Sequence, residues 1–119
     1  MTTQLTRRLV LLAVVVALVA PLSAGYAALD QLTVADTAVG LTAAKIREGN
    51  GHPQANKGYC VVSTAAIRYR DDGGTPTSTV GVPAQVGDTL QILSPESLVK
   101  FRAIRSTSTS AALDCLVYE

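Results

Sequence analysis

Turn-forming residues interrupt this chain so often that the pieces between them are too short for ordinary helices. Gly40, the stretch 49–58, Asp72 to Pro76, Gly81 to Pro83, Gly87 with Asp88, Ser94 to Glu96, and Ser106 to Ser110 punctuate everything beyond residue 28. Between these breaks Thr, Val and Ile make up a quarter of residues 28–119. Side chains branched at Cβ suit a pleated, half-buried surface better than a helix. The expectation is an all-β fold, a small antiparallel β-sandwich, and the length allows one modest domain.

Alternation sets out the strands. The first covers Gln31 to Val39, and Thr42 to Arg47 is either a second short strand or a single helical turn, with a loop over 48–57. Between Tyr59 and Arg70 the inward residues are Cys60 and Val62, then Ile67 and Tyr69, with Arg68 and Arg70 outward. One straight strand cannot send even and odd positions to the same side. A break, bulge or change of sheet therefore falls near Thr64 to Ala66. Val80 to Val86 reads as extended, Thr89 to Leu93 as a strand with Leu90 and Ile92 on one face, and Val99, Phe101 and Ala103 alternate against Lys100 and Arg102. The last strand is Ala111 to Tyr118, with Leu113, Cys115 and Val117 on one face and Asp114 on the other.

Residues 1–27 have the composition of an export signal. Arg7 and Arg8 precede an unbroken apolar run from Leu9 to Ala20, Pro21 ends it, and small residues follow at Ser23, Ala24, Gly25 and Ala27. A cut after Ala27 puts Gly25 and Ala27 at the small-residue positions; a cut after Ala24 puts Leu22 at one of them. The alternative is an uncleaved membrane anchor through residues 9–29, which carry no charge and are long enough to span a bilayer. The domain is expected over 28–119, exported to the periplasm or beyond the cell, and touching a membrane only through the N-terminal segment if that segment stays. Without the leader the formal charge changes from +1 to −1, since the leader holds two of the ten basic residues and none of the nine acids.

Cys60 and Cys115 are the two cysteines, and both fall on inward positions. In an oxidising compartment they are candidates for one disulfide; as free thiols they would fill core positions as small hydrophobes. Two cysteines and the distant His52 are too few for a zinc site.

The chain is poor in the groups that chemistry requires. His52, the one imidazole, sits among Gly, Asn and Pro with no acid beside it and is expected to be solvated. No glycine pattern precedes a Lys-Ser or Lys-Thr pair, and no acid pair stands in a setting that singles it out for sugar hydrolysis. Arg68, Arg70, Arg102 and Arg105 read as a solvated face without stacking aromatics, so nucleic acid is not an expected partner. The aromatic residues beyond residue 28 are Tyr59, Tyr69, Phe101 and Tyr118, which is little for stacking sugars. No catalytic residue, cofactor or metal is expected. The acids Asp71 and Asp72 could begin a calcium loop but lack the spaced ligands that complete one. The turn reads instead as shape: Asp72 accepting amides two residues on, Gly73 and Gly74 taking positive φ, Pro76 fixing the exit into Thr77.

These residues carry two likenesses. Val62, Thr64, Ala65, Ile67, Arg68, Tyr69, Asp72, Gly73, Pro76, Thr77 and Gly81, then Val86, Gly87, Asp88, Phe101, Ala103, Ile104 and Arg105, with the opening Leu32 to Val34 and Ala38 to Thr42, resemble a small β-sandwich domain of tailed-bacteriophage virion proteins. The segment IRYRDDGGTPTSTVG is also similar to the Asp-Gly-x-x-Pro-Thr turn of chitobiase C-terminal-like and fibronectin-like modules of secreted bacterial proteins. Either resemblance implies an immunoglobulin-like sandwich without an active site. The first implies a structural role in a virion, as a decoration or head-tail accessory protein with protein partners or copies of itself; the second implies a binding module for cell-wall glycan or a surface partner. The leader and the cysteines depart from the virion pattern and suit export.

Overall fold

The computed structural model describes residues 25–49 and 51–119. The apolar run from Leu9 to Ala20, whether leader or anchor, lies outside the described residues. Among those described, no helix is long and apolar enough to cross a membrane. The strands are β1 (Ala27–Val34), β2 (Lys57–Ser63), β3 (Ile67–Arg70), β4 (Val82–Ala84), β5 (Thr89–Ile92), β6 (Arg102–Arg105) and β7 (Ala111–Tyr118). Two short helices join them, α1 (Ala43–Ile46) and α2 (Pro95–Lys100). One sheet has the order β1-β7-β2-β5 and the other β4-β3-β6, with every pairing antiparallel. The fold is a sandwich of two antiparallel sheets.

The parity change between Cys60 and Ile67 is the passage from one sheet to the other. Thr64 takes φ 75° there, and the Ala65 amide donates to the Ser63 carbonyl at 2.9 Å, a three-residue turn. Positive φ is costly for a β-branched residue, and here it lets Cys60 and Val62 face the core from β2 while Ile67 faces it from β3. Phe101, Ile67, Ile92, Leu98, Leu113, Val34, Val62 and Val117 fill the space between the sheets. Tyr69 lies against Phe101 with ring centroids 5.8 Å apart.

Three expected strands differ from what forms. The first begins four residues earlier, at Ala27, and ends at Val34; the chain then crosses to β6, where Ala35 accepts from the Arg105 amide and Val39 bridges Ala103. The extended stretch 80–86 contributes only Val82–Ala84 to a sheet. Val99 is not in a strand, because Pro95–Lys100 is helical. The Ser94 hydroxyl accepts from the Ser97 amide at 3.1 Å, Pro95 occupies the first turn, and Lys100 reaches Glu96 one turn earlier at 2.6 Å. Phe101 ends this helix and still reaches the core. Thr42 to Arg47 holds the helical turn α1, not a strand.

Candidate functional site

Cys60 and Cys115 lie directly opposite each other on β2 and β7 and form a disulfide, with Cα atoms 4.0 Å apart. Val62 exchanges bonds with Gly87 and Asp88 on the β5 side, so Cys60, two residues earlier, also turns its peptide groups toward β5. That makes the pair with Cys115 the non-hydrogen-bonded kind, in which the two backbones come closest. Both cysteines are buried, and the bridge closes a loop of 55 residues. Such a bond points to an oxidising, extracytoplasmic setting.

The turn after β3 is built from Asp72 outward. Its carboxylate accepts two bonds from Arg70, at 2.9 and 2.7 Å, and one from the Gly74 amide at 3.1 Å. The hydrogen bond from Arg70, then that from Gly74, holds the exposed Asp72 carboxyl well below the usual carboxylate range, and the same contact raises Arg70. Gly73 has φ 92° as expected, but Gly74 does not take positive φ. What favours glycine at 74 is the Arg70 guanidinium, which lies where a Cβ would sit and would have to shift to admit one. Pro76 is buried, and the Thr77 hydroxyl accepts from the Val80 amide at 3.0 Å. Arg68 is not a solvated charge, since it donates to the Ser78 and Gly81 carbonyls at 3.1 and 2.9 Å. Both oxygens of Asp72 are thus engaged within the turn. Among the described residues no three of His, Cys, Asp and Glu converge.

His52 is not simply solvated. Its ring stacks on Tyr26 at 3.9 Å between centroids, with Nδ1 2.7 Å from the Pro53 carbonyl oxygen and Nε2 2.8 Å from that of Ala44. The Tyr26 hydroxyl in turn donates to the Lys45 carbonyl at 2.8 Å, and the Tyr26 carbonyl accepts from the Glu119 amide at 3.0 Å. Tyr26 and Ala27 therefore belong to the sandwich; a cut after Ala27 would remove them, and a cut after Ala24 would leave them. Beside them lies Asp30, 2% exposed, which accepts from the Thr42 amide and hydroxyl at 2.7 and 2.8 Å and faces Lys45 Nζ at 3.7 Å. This network pins α1 to the edge of β1. Sequence reasoning misses this network, because the expected first strand starts at Gln31, one residue past Asp30.

The outer face of the four-stranded sheet is graded. One row reads Leu29, Leu116, Tyr59, Gln91 across β1, β7, β2 and β5. Leu29 is 54% and Tyr59 39% exposed. The row beyond it holds Tyr118 and Lys57, whose Nζ lies 5.4 Å from the Tyr118 ring centre, and Leu93 continues past β5 at 73% exposure. A groove of about 400 Å³ runs between them, floored by Gly58 and bordered by Thr89 and Gln91. On the other side of the apolar row the face turns polar, with Gln31 bonded to Asp114, then Thr33 and Ser63. A second cavity of about 550 Å³ is lined by Thr77, Ser78, Ser106, Thr107 and Ser108 together with Asp36, Ile104 and Arg105.

No protein-family model matches the chain, and no curated protein or solved structure matches it either.

Proposed function

We propose that this protein is a non-catalytic structural or interaction module that is exported, closes its disulfide outside the cytoplasm, and attaches to a larger protein assembly. The observation that carries the reading is the row Leu29, Leu116 and Tyr59 on the outer face of the four-stranded sheet. Contiguous apolar surface on a small domain marks a contact site, and aromatic residues are enriched at the centre of such sites. The virion-protein resemblance names the kind of assembly, a capsid or tail that the domain decorates. Strands two to six support an immunoglobulin-like reading, with β2 paired to β5 in one sheet and β3 to β6 in the other. It stops at β7, which lies between β1 and β2 instead of beside β6. Export with a cut after Ala24 keeps Tyr26 in the fold; mass spectrometry of the exported protein reads that cut directly.

Co-sedimentation with purified capsid or tail components tests the attachment. Binding that disappears in Leu29→Glu with Tyr59→Glu supports it; no binding by the unchanged protein overturns it. A second reading, binding of cell-wall glycan, is favoured by the hydroxyl-lined cavity at Thr77, Ser78 and Ser106 to Ser108. Failure of peptidoglycan and chitin to retain the protein removes that reading.

A further inference from the structure

Two sheets have four edges, and three of them are closed to a further strand. At β1 the outward carbonyl of Leu29 accepts from Lys45 Nζ at 2.7 Å, and α1 is tied alongside through Asp30. At β6 the segment 35–39 lies along the edge through Arg105 to Ala35 and the Val39–Ala103 bridge. At β4 the middle residue is Pro83, opposite Arg68, which leaves the edge without a donor there. The fourth edge, β5, has none of these devices.

Just before β5 the Gly87 amide and the Asp88 carbonyl bond to Val62, a bulge with Gly87 at φ 92° that sets the register of Thr89 to Ile92. Leu90 and Ile92 then face Cys60 and Gly58 in the ladder, while the peptide groups of Thr89 and Gln91 point away from β2. Among the described residues those groups have no hydrogen-bond partner, and Thr89, Gln91 and Leu93 are exposed.

We propose that a second copy of this chain occupies this edge, β5 pairing antiparallel with β5 about a two-fold axis at Gln91. The inference rests on the reading of the protein as an interaction module and names one of its surfaces. The register is self-complementary. With Gln91 opposite Gln91, Thr89 meets Leu93 and the outward peptide groups of all three bond reciprocally. The same register sets Leu90 opposite Ile92 on the buried face, so the two cores meet without a polar residue between them. Residues 89–93 carry no charge, so no like charges meet at the axis, which is the electrostatic condition for a strand to accept itself. The apolar row Leu29, Leu116, Tyr59 then runs on through the paired Gln91 residues into its symmetry copy, doubling the contact surface.

The test uses the full chain in whichever processed form the cell leaves, purified alone, so it stands or falls independently of binding to capsid, tail or glycan. Sedimentation equilibrium is expected to show a monomer–dimer equilibrium. Amide exchange at Thr89, Gln91 and Leu93 is expected to slow as protein concentration rises. Gln91→Pro removes an amide that serves no bond within the chain, and Gln91→Lys places two like charges at the axis; each is expected to weaken association about tenfold or more. The lysine variant keeps the test open if the proline variant does not fold. A protein that stays monomeric at every concentration overturns the proposal, as does a dimer in which those three amides exchange freely and both variants associate like the parent.

Discussion

The four-stranded and three-stranded sheets are held by different means. In the first, β1, β2 and β7 run seven or eight residues, β7 pairs with both of the others along their lengths, and β2 and β7 are joined at mid-strand by the Cys60–Cys115 bond. In the second, β3, β4 and β6 have only four, three and four residues. Backbone pairing over so few residues is weak support, and side chains reinforce it: Arg68 fastens the 78–81 loop, Arg70 fastens the Asp72 turn, and Phe101 and Ile67 pack beneath. The Asp-Gly-x-x-Pro-Thr segment thus supports a short sheet that its own backbone pairing would leave loose. One layer is stabilised by length and a covalent bond, the other by packing and loop chemistry.

Removing the bond is the strongest way to break that contrast. Cys60→Ala with Cys115→Ala is expected to lower stability by about 4 kcal/mol, the loop-closure entropy of a 55-residue ring, and to lower Tm by roughly 20 °C. Calorimetry on the oxidised and variant proteins reads this. Because the effect acts mainly through the unfolded chain, circular dichroism of the folded variant should match the parent. In the three-stranded sheet the corresponding change is Ile67→Ala, which leaves a cavity beneath β3 and is expected to cost about 3 kcal/mol by urea unfolding. A cost below about 1 kcal/mol would mean that the short sheet does not depend on packing in this way.

The two sheets also differ in how much of them is legible in the sequence. Alternation along Leu113, Cys115 and Val117, and the parity conflict between Cys60 and Ile67, can be read because a two-residue period is a property of the local backbone. That conflict places the change of sheet near Thr64 to Ala66, the residues between the end of β2 and the start of β3. The helix at Pro95–Lys100 is hidden because six residues are too few to display a helical period, and Val99, Phe101 and Ala103 happen to alternate. Ser94, Pro95 and the Glu96–Lys100 pair hold the better information. The position of β7 between β1 and β2, and the Tyr26–His52 stack, join residues far apart in sequence, and no local pattern encodes them. Gly74 belongs to the turn as its sequence context implies, but for a different reason, since its constraint is the Arg70 guanidinium four residues earlier.

The connection between the sheets offers a smaller test. Ser94→Ala removes the hydroxyl that accepts from Ser97 at the start of α2, the link from β5 to β6, and is expected to cost about 1 kcal/mol. Ser94→Asp, which restores an acceptor at the helix start, should recover most of it. Equal loss in both variants would show that the cap is not what holds the link.

The smallest expected effect lies at the Asp72 turn, where exposure lets solvent and salt screen the ion pair with Arg70. Because folding lowers the Asp72 pKa, the contact stabilises the protein above the ordinary carboxylate range. The contribution fades as pH falls from there through the folded value, once Asp72 is protonated in both states. Asp72→Asn should therefore melt slightly below the parent at about pH 7, with the gap closing toward about pH 2 and narrowing in high salt. Calorimetric melts at the two pH values measure it. If Asp72→Asn melted with the parent at both pH values, the neutral bond to the Gly74 amide, which an asparagine oxygen also accepts, and not the charge on Asp72, would be what ties the loop to the short sheet.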